Sequence, residues 1–318
     1  MTDFTVYRAG DVNALLDYEG CIAAMRRAMA ALSRDSREQP LRTIIPVHEG
    51  RLFAWMPGMS SGEAGFGAKL FSVFRDPAQG GRATHQGIVA LFEAEAGSVV
   101  CVADAHEITR IRTACASAMA TDALARQEAS TLAVFGCGTQ AEAHIRAIPL
   151  VRSINQIRIW GRAEGTARAF ARRMCDATGI EVTAVLDPRE AAIGADIICT
   201  VTGSAEPILF RDWVTPGAHI NAVGSSHAGP VEIEPELVAA SAYFVEYRRS
   251  ALVAAAEFLR ARELGLIDDD HIRAEIGEVL NGTAPGRTNQ AEITLYKSLG
   301  HVVQDLAAAR YIHDRASS

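Results

Sequence analysis

The chain has 318 residues, of which 49% are hydrophobic and 22% are charged, and its formal net charge is −7. This length is enough for two domains with a sizeable core, and the composition is that of an ordinary globular protein. The acidic balance lacks the basic footprint of nucleic-acid binding or of attachment to an anionic membrane, so we expect neither partner.

Neither a targeting segment nor a metal site is indicated. Residues 1–12 lack a basic region followed by an apolar run, and no apolar stretch reaches the roughly 20 residues of a membrane span. The six cysteines form no C-x-x-C pair, and the nine histidines form no H-x-x-x-H or H-E-x-x-H pair. These spacings disfavour a disulfide framework or a zinc site. We therefore expect a cytoplasmic protein with reduced thiols and no metal.

The first part of the chain changes from a helical period to a strand pattern. Apolar positions in residues 11–33 follow the helical period and predict one or two amphipathic helices. Residues 41–56 predict a β-hairpin, residues 67–74 a third strand, and residues 87–102 a second hairpin. Consecutive strands joined by tight turns predict a mostly antiparallel sheet.

The most informative stretch follows a small-residue helix predicted over residues 108–126. A buried strand is predicted at residues 131–135, and the sequence GCGTQA then turns it into a helix. In such a G-x-G-x-x-A turn the first glycine permits the tight bend, the second lets a pyrophosphate approach the backbone, and the alanine permits close packing. The pattern predicts dinucleotide binding. The loop residues that we assign to the cofactor are Gly136, Gly138, Thr139, Gln140 and Ala141.

Strand and helix patterns alternate after this loop. Strands are predicted at residues 157–160, 181–185, 196–201, 219–223 and 243–245, and helices at residues 166–177, 188–193, 251–262 and 293–311. This alternation predicts an α/β fold with a doubly wound parallel sheet of the Rossmann type. Thr200 and Val223 stand at the ends of two predicted strands, and we assign both to the cofactor site.

The second strand of this part bears on which dinucleotide binds. An Asp or Glu about 20 residues after the glycines would bond a free ribose 2′-hydroxyl and indicate NAD. Here the strand ends Trp160-Gly161-Arg162, with no acid at its tip. We assign Gly161 and Arg162 to the cofactor site, because Arg162 would suit a 2′-phosphate. This favours NADPH and leaves NADH open.

Three basic residues, Arg42, Lys69 and Arg112, interrupt apolar or neutral patterns in the antiparallel part. Taken singly, each most often lies on a solvated face with its stem covering apolar surface. Taken together they would suit a carboxylate, since guanidinium makes a bidentate fork and an ammonium can also donate a proton. The sequence leaves open whether the three side chains converge.

Five motifs, in this order, resemble the ornithine cyclodeaminase/mu-crystallin family. They are Gln39-Pro40-Leu41-Arg42-Thr43, Lys69 after Gly67, Arg110-Ile111-Arg112-Thr113, the glycine loop, and Tyr296-Lys297-Ser298-Leu299-Gly300. The resemblance implies a Rossmann domain of residues 119–296 inserted into a mostly antiparallel α+β domain of residues 1–118 and 297–318. That second domain would bind the substrate and pair two subunits in a homodimer.

The same resemblance implies hydride chemistry on amino or imino acids with NAD(P)H. In this family such chemistry includes cyclodeamination, alanine dehydrogenation, and ketimine or iminosuccinate reduction. Arg42 and Arg112 would then clamp the substrate carboxylate, and Lys69 would bind the substrate and donate a proton. Thr113 and Ser298 would lie near the cofactor.

One departure from the cyclodeaminases concerns the loop Val223-Gly224-Ser225-Ser226-His227. By resemblance those enzymes have an aspartate where this chain has Ser226, and a serine has no charge to steer a cationic amine. His227 could meet a second substrate carboxylate or share in proton transfer, because its ordinary pKa lies near 6.5. The alternative is a plain polar loop. We count Ser226 and His227 among the candidate catalytic residues.

The sequence therefore predicts an NAD(P)H-dependent reductase that interconverts an α-imino acid and an amino acid. Candidate substrates are iminosuccinate and cyclic ketimines, and His227 with Arg82 and His85, expected in a loop, favours a dicarboxylate. Two alternatives stay open. One is an ammonia-eliminating cyclodeaminase, and the other is a non-enzymatic, crystallin-like protein that binds the nucleotide.

Overall fold

A computed structural model gives the fold and describes residues 4–48, 51–60, 65–76 and 82–317. The chain divides into two compact units. The first unit comprises Met1–Arg112 and His301–Ser318, and the second comprises Thr113–Gly300. The second unit is therefore an insertion within the sequence of the first.

The first unit is built on a six-stranded, mostly antiparallel sheet. Its strands are β1 (Thr5–Tyr7), β2 (Thr43–His48), β3 (Arg51–Met59), β4 (Phe66–Asp76), β5 (Arg82–Phe92) and β6 (Val99–Asp104). The helices of this part of the chain are α1 (Ala9–Leu15), α2 (Tyr18–Leu32) and α3 (Ala105–Leu124), and the division between the units falls within α3. The sheet order is β1-β6-β5-β4-β3-β2, and only β1 pairs in parallel. The hairpins were predicted, whereas β1 was too short to leave a pattern.

One face of this sheet is buried and the other is apolar but exposed. Met56, Lys69 and Val89 form a cross-strand row on the buried face. Trp55 and Ile88, one residue earlier in β3 and β5, are 42% and 44% exposed. Because side chains alternate between the faces of a strand, one register places Lys69 inside and leaves an apolar row outside.

The second unit has the predicted parallel sheet. Its strands are β7 (Thr131–Phe135), β8 (Gln156–Trp160), β9 (Glu181–Val185), β10 (Ile197–Thr200), β11 (His219–Ala222), β12 (Ala242–Val245), β13 (Ile272–Glu275) and β14 (Thr294–Lys297). Its further helices are α4 (Thr139–Ala147), α5 (Glu164–Thr178), α6 (Pro188–Ala192), α7 (Pro235–Ala239), α8 (Arg248–Ala254), α9 (Ala256–Glu263) and α10 (Ile276–Leu280). The order is β13-β12-β14-β11-β10-β7-β8-β9, all in parallel. The predicted α/β class is confirmed.

Two helix predictions in the C-terminal part are wrong. The helix predicted over residues 293–311 begins with β14, a strand inside the parallel sheet between β11 and β12. All four residues of β14 are buried, so the strand has no polar alternation by which its period could be recognised. The helix predicted over residues 251–262 is two helices that meet at Ala255.

The chain ends in α11 (Val302–Ala316), which belongs to the first unit and packs on α2 and on strands β3 to β6. Its buried face carries two polar residues, Gln304 and Asp305, both 0% exposed. Among the described residues, no helix has the length and apolarity to cross a membrane.

Candidate active site

The glycine loop lies between β7 and α4 of the second unit. Gly136 has a φ of +131°, a conformation that side chains rarely adopt, and an added Cβ would lie 3.0 Å from the carbonyl oxygen of Val201. An added Cβ on Gly138 would meet no atom within 4 Å. Gly138 caps α4 without a side-chain hydrogen bond, and Ala141 is fully buried behind it. This open space at a helix N-terminus fits the pyrophosphate of a dinucleotide.

Packing explains the glycine after β8. An added Cβ on Gly161 would lie 2.5 Å from Sγ of Cys137, so a side chain at this position would require the Cys137 thiol to move. Arg162 beside it is exposed, and α5 begins at Glu164, which is ion-paired with Arg168. The glycine at residue 161 therefore gives room to the thiol of Cys137.

The predicted cofactor residues at the ends of β10 and β11 are both buried. Thr200 is fully buried and Val223 is 7% exposed. In the loop that follows β11, Ser226 is half-buried, whereas His227 is exposed. Thr113, at the start of the second unit, is 7% exposed.

A buried ionic network that was not predicted from the sequence holds the loop after β11 in place. Nζ of Lys297 lies 2.7 Å from Oε1 of Glu257 and donates a hydrogen bond of 2.8 Å to Oγ of Ser225. That hydroxyl donates in turn to Oε2 of Glu257 over 2.8 Å. Glu232 accepts a 2.7 Å bond from the backbone N–H of Gly224. The loop carrying Ser226 is thus anchored at two consecutive residues.

A third buried carboxylate, Glu246, anchors the chain after β14. Glu246 accepts hydrogen bonds from the backbone N–H groups of Leu299 and Gly300, at 3.0 and 2.6 Å. Its other oxygen accepts a bond of 3.2 Å from the hydroxyl of Ser298, which is 2% exposed. The predicted cofactor residue Ser298 therefore has a fixed side chain.

The first unit brings two of the three predicted cations together. Nε of Arg112 donates to Oδ1 of Asp305 over 3.0 Å, and Nζ of Lys69 lies 3.4 Å from the same oxygen. Nη1 of Arg112 donates to Gln304 over 2.8 Å, and Nζ of Lys69 donates to Oγ1 of Thr109 over 2.5 Å. Lys69 and Arg112 are 2% and 3% exposed. We call Lys69, Arg112, Asp305, Thr109 and Gln304 the cation cluster.

The charges of this cluster shift the pKa of Lys69. Burial lowers it from 10.5 to about 7, and the positive charges of Arg112 and Arg42 add to that effect, while Asp305 opposes it. Arg42, half-buried just before β2, thus acts on Lys69 electrostatically. Burial would raise the pKa of Asp305, but Arg112 and Lys69 outweigh burial and hold it below its ordinary value. Asp305 is ionised, and Lys69 can exchange a proton near neutral pH.

The sequence predicted His85 in a loop, but the residue lies within β5. Its ring stacks on Phe71 with the centroids 4.5 Å apart. Burial lowers the pKa of His85 to about 3, with further contributions from Lys69 and Arg112. The imidazole is neutral at physiological pH, so it supplies no positive charge for a second carboxylate of a substrate.

Lys69 and Arg112 both retain N–H groups that bond no acceptor among the described residues. Nζ of Lys69 has three N–H groups, of which Thr109 and Asp305 take two. Nη2 of Arg112 has no partner within the described ranges, because Asp305 and Gln304 take Nε and Nη1. A carboxylate can accept from both cations at once. Across the described parts of the chain, no group of three or more His, Cys, Asp or Glu side chains could hold a metal ion.

Fold and site define a dinucleotide-binding protein of the oxidoreductase class. The sequence profile of the ornithine cyclodeaminase/mu-crystallin family matches residues 3–318, and the chain belongs to this family. Ketimine reductase mu-crystallin of Mus musculus is 36% identical over 281 residues, covering 88% of this chain and 86% of that protein. The resemblance drawn from the sequence motifs is confirmed.

Solved structures agree in fold over the whole chain. The Δ1-pyrroline-2-carboxylate reductase of Thermococcus litoralis, in complex with NADH and L-proline, matches with a TM-score of 0.93 and 28% identity, covering 99% of this chain and 98% of that one. The iminosuccinate reductase of Paracoccus denitrificans, in complex with NAD⁺, matches with a TM-score of 0.91 and 26% identity, covering 99% and 96%. These three relatives, from Mus musculus, Thermococcus litoralis and Paracoccus denitrificans, are all reductases of C=N bonds.

Proposed function

We propose that this protein is an NAD(P)H-dependent imine reductase that interconverts an α-imino acid and an amino acid. The observation that carries the proposal is the pair of buried cations, Lys69 and Arg112, held side by side by Asp305 in a member of this family. The cofactor, when bound, supplies a hydride at C4 of its nicotinamide ring. The residues of the chain must then bind the substrate, orient it and provide a proton.

In this proposal the carboxylate of the substrate binds to Nη2 of Arg112 and to the remaining N–H of Lys69. Arg42 adds positive charge, since it acts electrostatically on Lys69. Two charge-assisted bonds from fixed donors define the orientation of the carboxylate, and the adjacent imine carbon is oriented with it. The glycine loop, Gly161, Thr200, Val223, Thr113 and Ser298 would form the cofactor site.

Lys69 is the proposed proton donor. Reduction of C=N adds a hydride to carbon and a proton to nitrogen, and a proton donor works best when its pKa lies near the working pH. The pKa of Lys69, lowered by burial to about 7, meets this condition. In the reverse direction the neutral amine of Lys69 would take up the same proton.

We propose a cyclic monocarboxylate ketimine as the first substrate to test, ahead of iminosuccinate. His85 is neutral and stacked on Phe71, so it does not add charge for a second carboxylate. Ser226 likewise offers no charge to steer the cationic amine of a diamino acid, which disfavours ring closure with loss of ammonia. We give Ser226 a polar role toward the substrate, and His227, exposed in the same loop, a secondary one.

A substrate panel tests the proposal. Purified protein is mixed with NADH or NADPH and with preformed Δ1-pyrroline-2-carboxylate, iminosuccinate, or 2-keto acids plus ammonia, and nicotinamide absorbance is followed. We expect consumption of the reduced cofactor with at least one imine. Proline formation from ornithine without net accumulation of NADH would identify a cyclodeaminase, and no turnover with any substrate would contradict the proposal.

The choice of cofactor provides a separate prediction. We expect Arg162→Ala to lower kcat/KM about tenfold with NADPH and to leave it nearly unchanged with NADH, because only NADPH carries a 2′-phosphate for the guanidinium. Arg172→Ala is the matched control, since Arg172 is an exposed arginine on the neighbouring helix α5. Equal losses with both cofactors would contradict a role for Arg162 in binding the 2′-phosphate.

We propose that two copies of the chain pair through the exposed face of the six-stranded sheet. Ile45, Trp55, Phe74 and Ile88 are 46%, 42%, 39% and 44% exposed there, and an apolar face of this kind calls for a partner. Light scattering should give twice the 34.0 kDa of one chain, and Trp55→Lys with Ile88→Lys should give a monomer. Leu264→Lys, at an exposed leucine of the second unit, should leave the dimer intact. A monomeric wild type would contradict the proposal.

A cytoplasmic location is proposed from the cysteines. None of the six forms a disulfide in the structure, and Cys21, Cys101, Cys115 and Cys199 are buried. Cysteines that form no disulfide fit a reducing compartment, where disulfides are rare.

A further inference from the structure

The carboxylate of Asp305 has an unusual environment for a structural group. It is 0% exposed, its Oδ1 serves both Arg112 and Lys69, and its Oδ2 is buried without a hydrogen-bond partner among the described residues. Burying a charge is costly, and an apolar residue of similar volume commonly gives an equally stable fold. Buried carboxylates kept for stability normally have both oxygens bonded. Stability alone therefore does not account for Asp305.

The bonds of Asp305 determine which donors of the two cations remain available. Asp305 accepts from Nε of Arg112 and Gln304 accepts from Nη1, so Nη2 of the guanidinium remains without a partner among the described residues. By accepting from Lys69, Asp305 takes a second ammonium N–H after the one given to Thr109. The hydroxyl of Thr109 donates to the carbonyl of Ala105 over 2.6 Å, so it can only accept from Lys69. With the acceptors in the described ranges counted, one N–H of Lys69 is left, and on Arg112 both N–H groups of Nη2 and the second N–H of Nη1 are left.

We propose that Asp305 is the positioning residue of the cation cluster, holding the Lys69 ammonium and the Arg112 guanidinium together with donors of both left for a substrate and keeping Lys69 in its protonated form. This inference rests on the proposed function, in which Lys69 donates a proton. Asp305 acts through the two cations and does not itself exchange a proton with the substrate.

The other groups near Lys69 identify Asp305 as its counter-charge. Arg112 from α3 and Arg42 before β2 disfavour the ammonium form, whereas Asp305 from α11 favours it. His85 in β5 and His301 before α11 have pKa values lowered by burial to about 3 and 4, so they are neutral above pH 6. Removing the negative charge of Asp305 should therefore make Lys69 lose its proton at a lower pH.

The test is the pH profile of imine reduction by Asp305→Asn, which removes the charge and keeps the shape. In the wild type, kcat/KM should fall about tenfold per pH unit above the pKa of Lys69. In the variant this alkaline limb should begin roughly one pH unit lower, as expected for the loss of a nearby opposite charge. The Kd for NADH, measured by fluorescence, should not change, because Asp305 and the glycine loop belong to different units.

Gln304→Met is the matched control. Gln304 is the neighbour of Asp305 on α11 and also accepts from Arg112, and its replacement does not change the charge. We expect a higher KM and an unmoved alkaline limb. Lys69→Met provides a second readout. If Asp305 acts through Lys69, adding Asp305→Asn to Lys69→Met should lower kcat less than threefold. Asp305→Asn in the wild-type background should lower kcat by a larger factor. The double variant removes one positive and one negative buried charge together. If Asp305→Asn alone does not fold, comparing the double variant with Lys69→Met still measures the effect of Asp305.

An alkaline limb that stays in place in a folded Asp305→Asn, or losses that multiply in the double variant, would overturn this inference and leave the proposed function standing. A wild type that reduces no imine at any pH would instead remove the proposed function. The two failures are therefore distinguishable in one set of measurements.

Discussion

Replacing Lys69 with methionine should lower the rate of imine reduction by about three orders of magnitude, within the range that a positioned proton donor contributes. Nζ of Lys69 is buried within the cation cluster, and burial lowers its pKa to about 7. Methionine has a similar length and no charge, so it fits a buried position. The variant loses the proton donor and one of the two donors proposed for the carboxylate.

Steady-state rates with a preformed imine measure this loss, and NADH fluorescence measures cofactor binding in the same sample. We expect binding of NADH to be unchanged, because the glycine loop lies in the second unit. Arg51→Met serves as the control, since Arg51 is an exposed cation of the same sheet. A Lys69→Met variant that retains a tenth or more of the wild-type rate would exclude Lys69 as the proton donor.

Replacing Arg112 with leucine should raise KM about 50-fold with a smaller change in kcat. Nη2 of Arg112 is one of the two groups proposed to bind the carboxylate, and loss of a hydrogen bond to a charged group costs about 2–3 kcal/mol. Arg112→Lys should recover only part of this affinity, because an ammonium lacks the planar fork that bonds Asp305, Gln304 and substrate together.

A substrate analogue sharpens this test. The primary amide of the imino acid lacks the carboxylate charge, so it should bind weakly to the wild type and lose little more with Arg112→Leu. Comparing the wild type with Arg112→Leu, each with the acid and with the amide, isolates the interaction between guanidinium and carboxylate. If the amide and the acid lose affinity equally with Arg112→Leu, the residue acts on the fold of the site and not on the carboxylate.

The sequence predicted those features that depend on local pattern. The glycine loop needs a positive φ at Gly136 and open space over Gly138, and glycine identity alone indicates both. Alternating strands and helices leave periodic patterns, so most of the parallel sheet was predicted. Lys69 and Arg112 were noticed because cations interrupt apolar patterns, although their meeting could not be derived.

The features that the sequence did not predict depend on contacts between residues far apart along the chain. Asp305 is 193 residues from Arg112 along the chain, and a carboxylate on an amphipathic helix looks like any solvated residue until its partners are known. β14 is buried on both faces, so its sequence lacks the alternation that reveals a strand. Lys297 offered one usable signal. The chain has only two lysines, and both Lys69 and Lys297 are buried with acidic partners.

Transfer of deuterium from the nicotinamide ring to the product tests whether the protein reduces an imine. The protein is incubated with Δ1-pyrroline-2-carboxylate and with NADH or NADPH carrying deuterium at C4 of the nicotinamide ring, in the stereochemical form that the enzyme uses, and the product is analysed by mass spectrometry. We expect proline one mass unit heavier, labelled at the α-carbon and formed in equal amount to the oxidised cofactor, and about a thousandfold slower formation with Lys69→Met. Unlabelled proline formed beside oxidised cofactor, or an unoxidised cofactor with this imine and with every other imine of the panel, would contradict the proposed reduction.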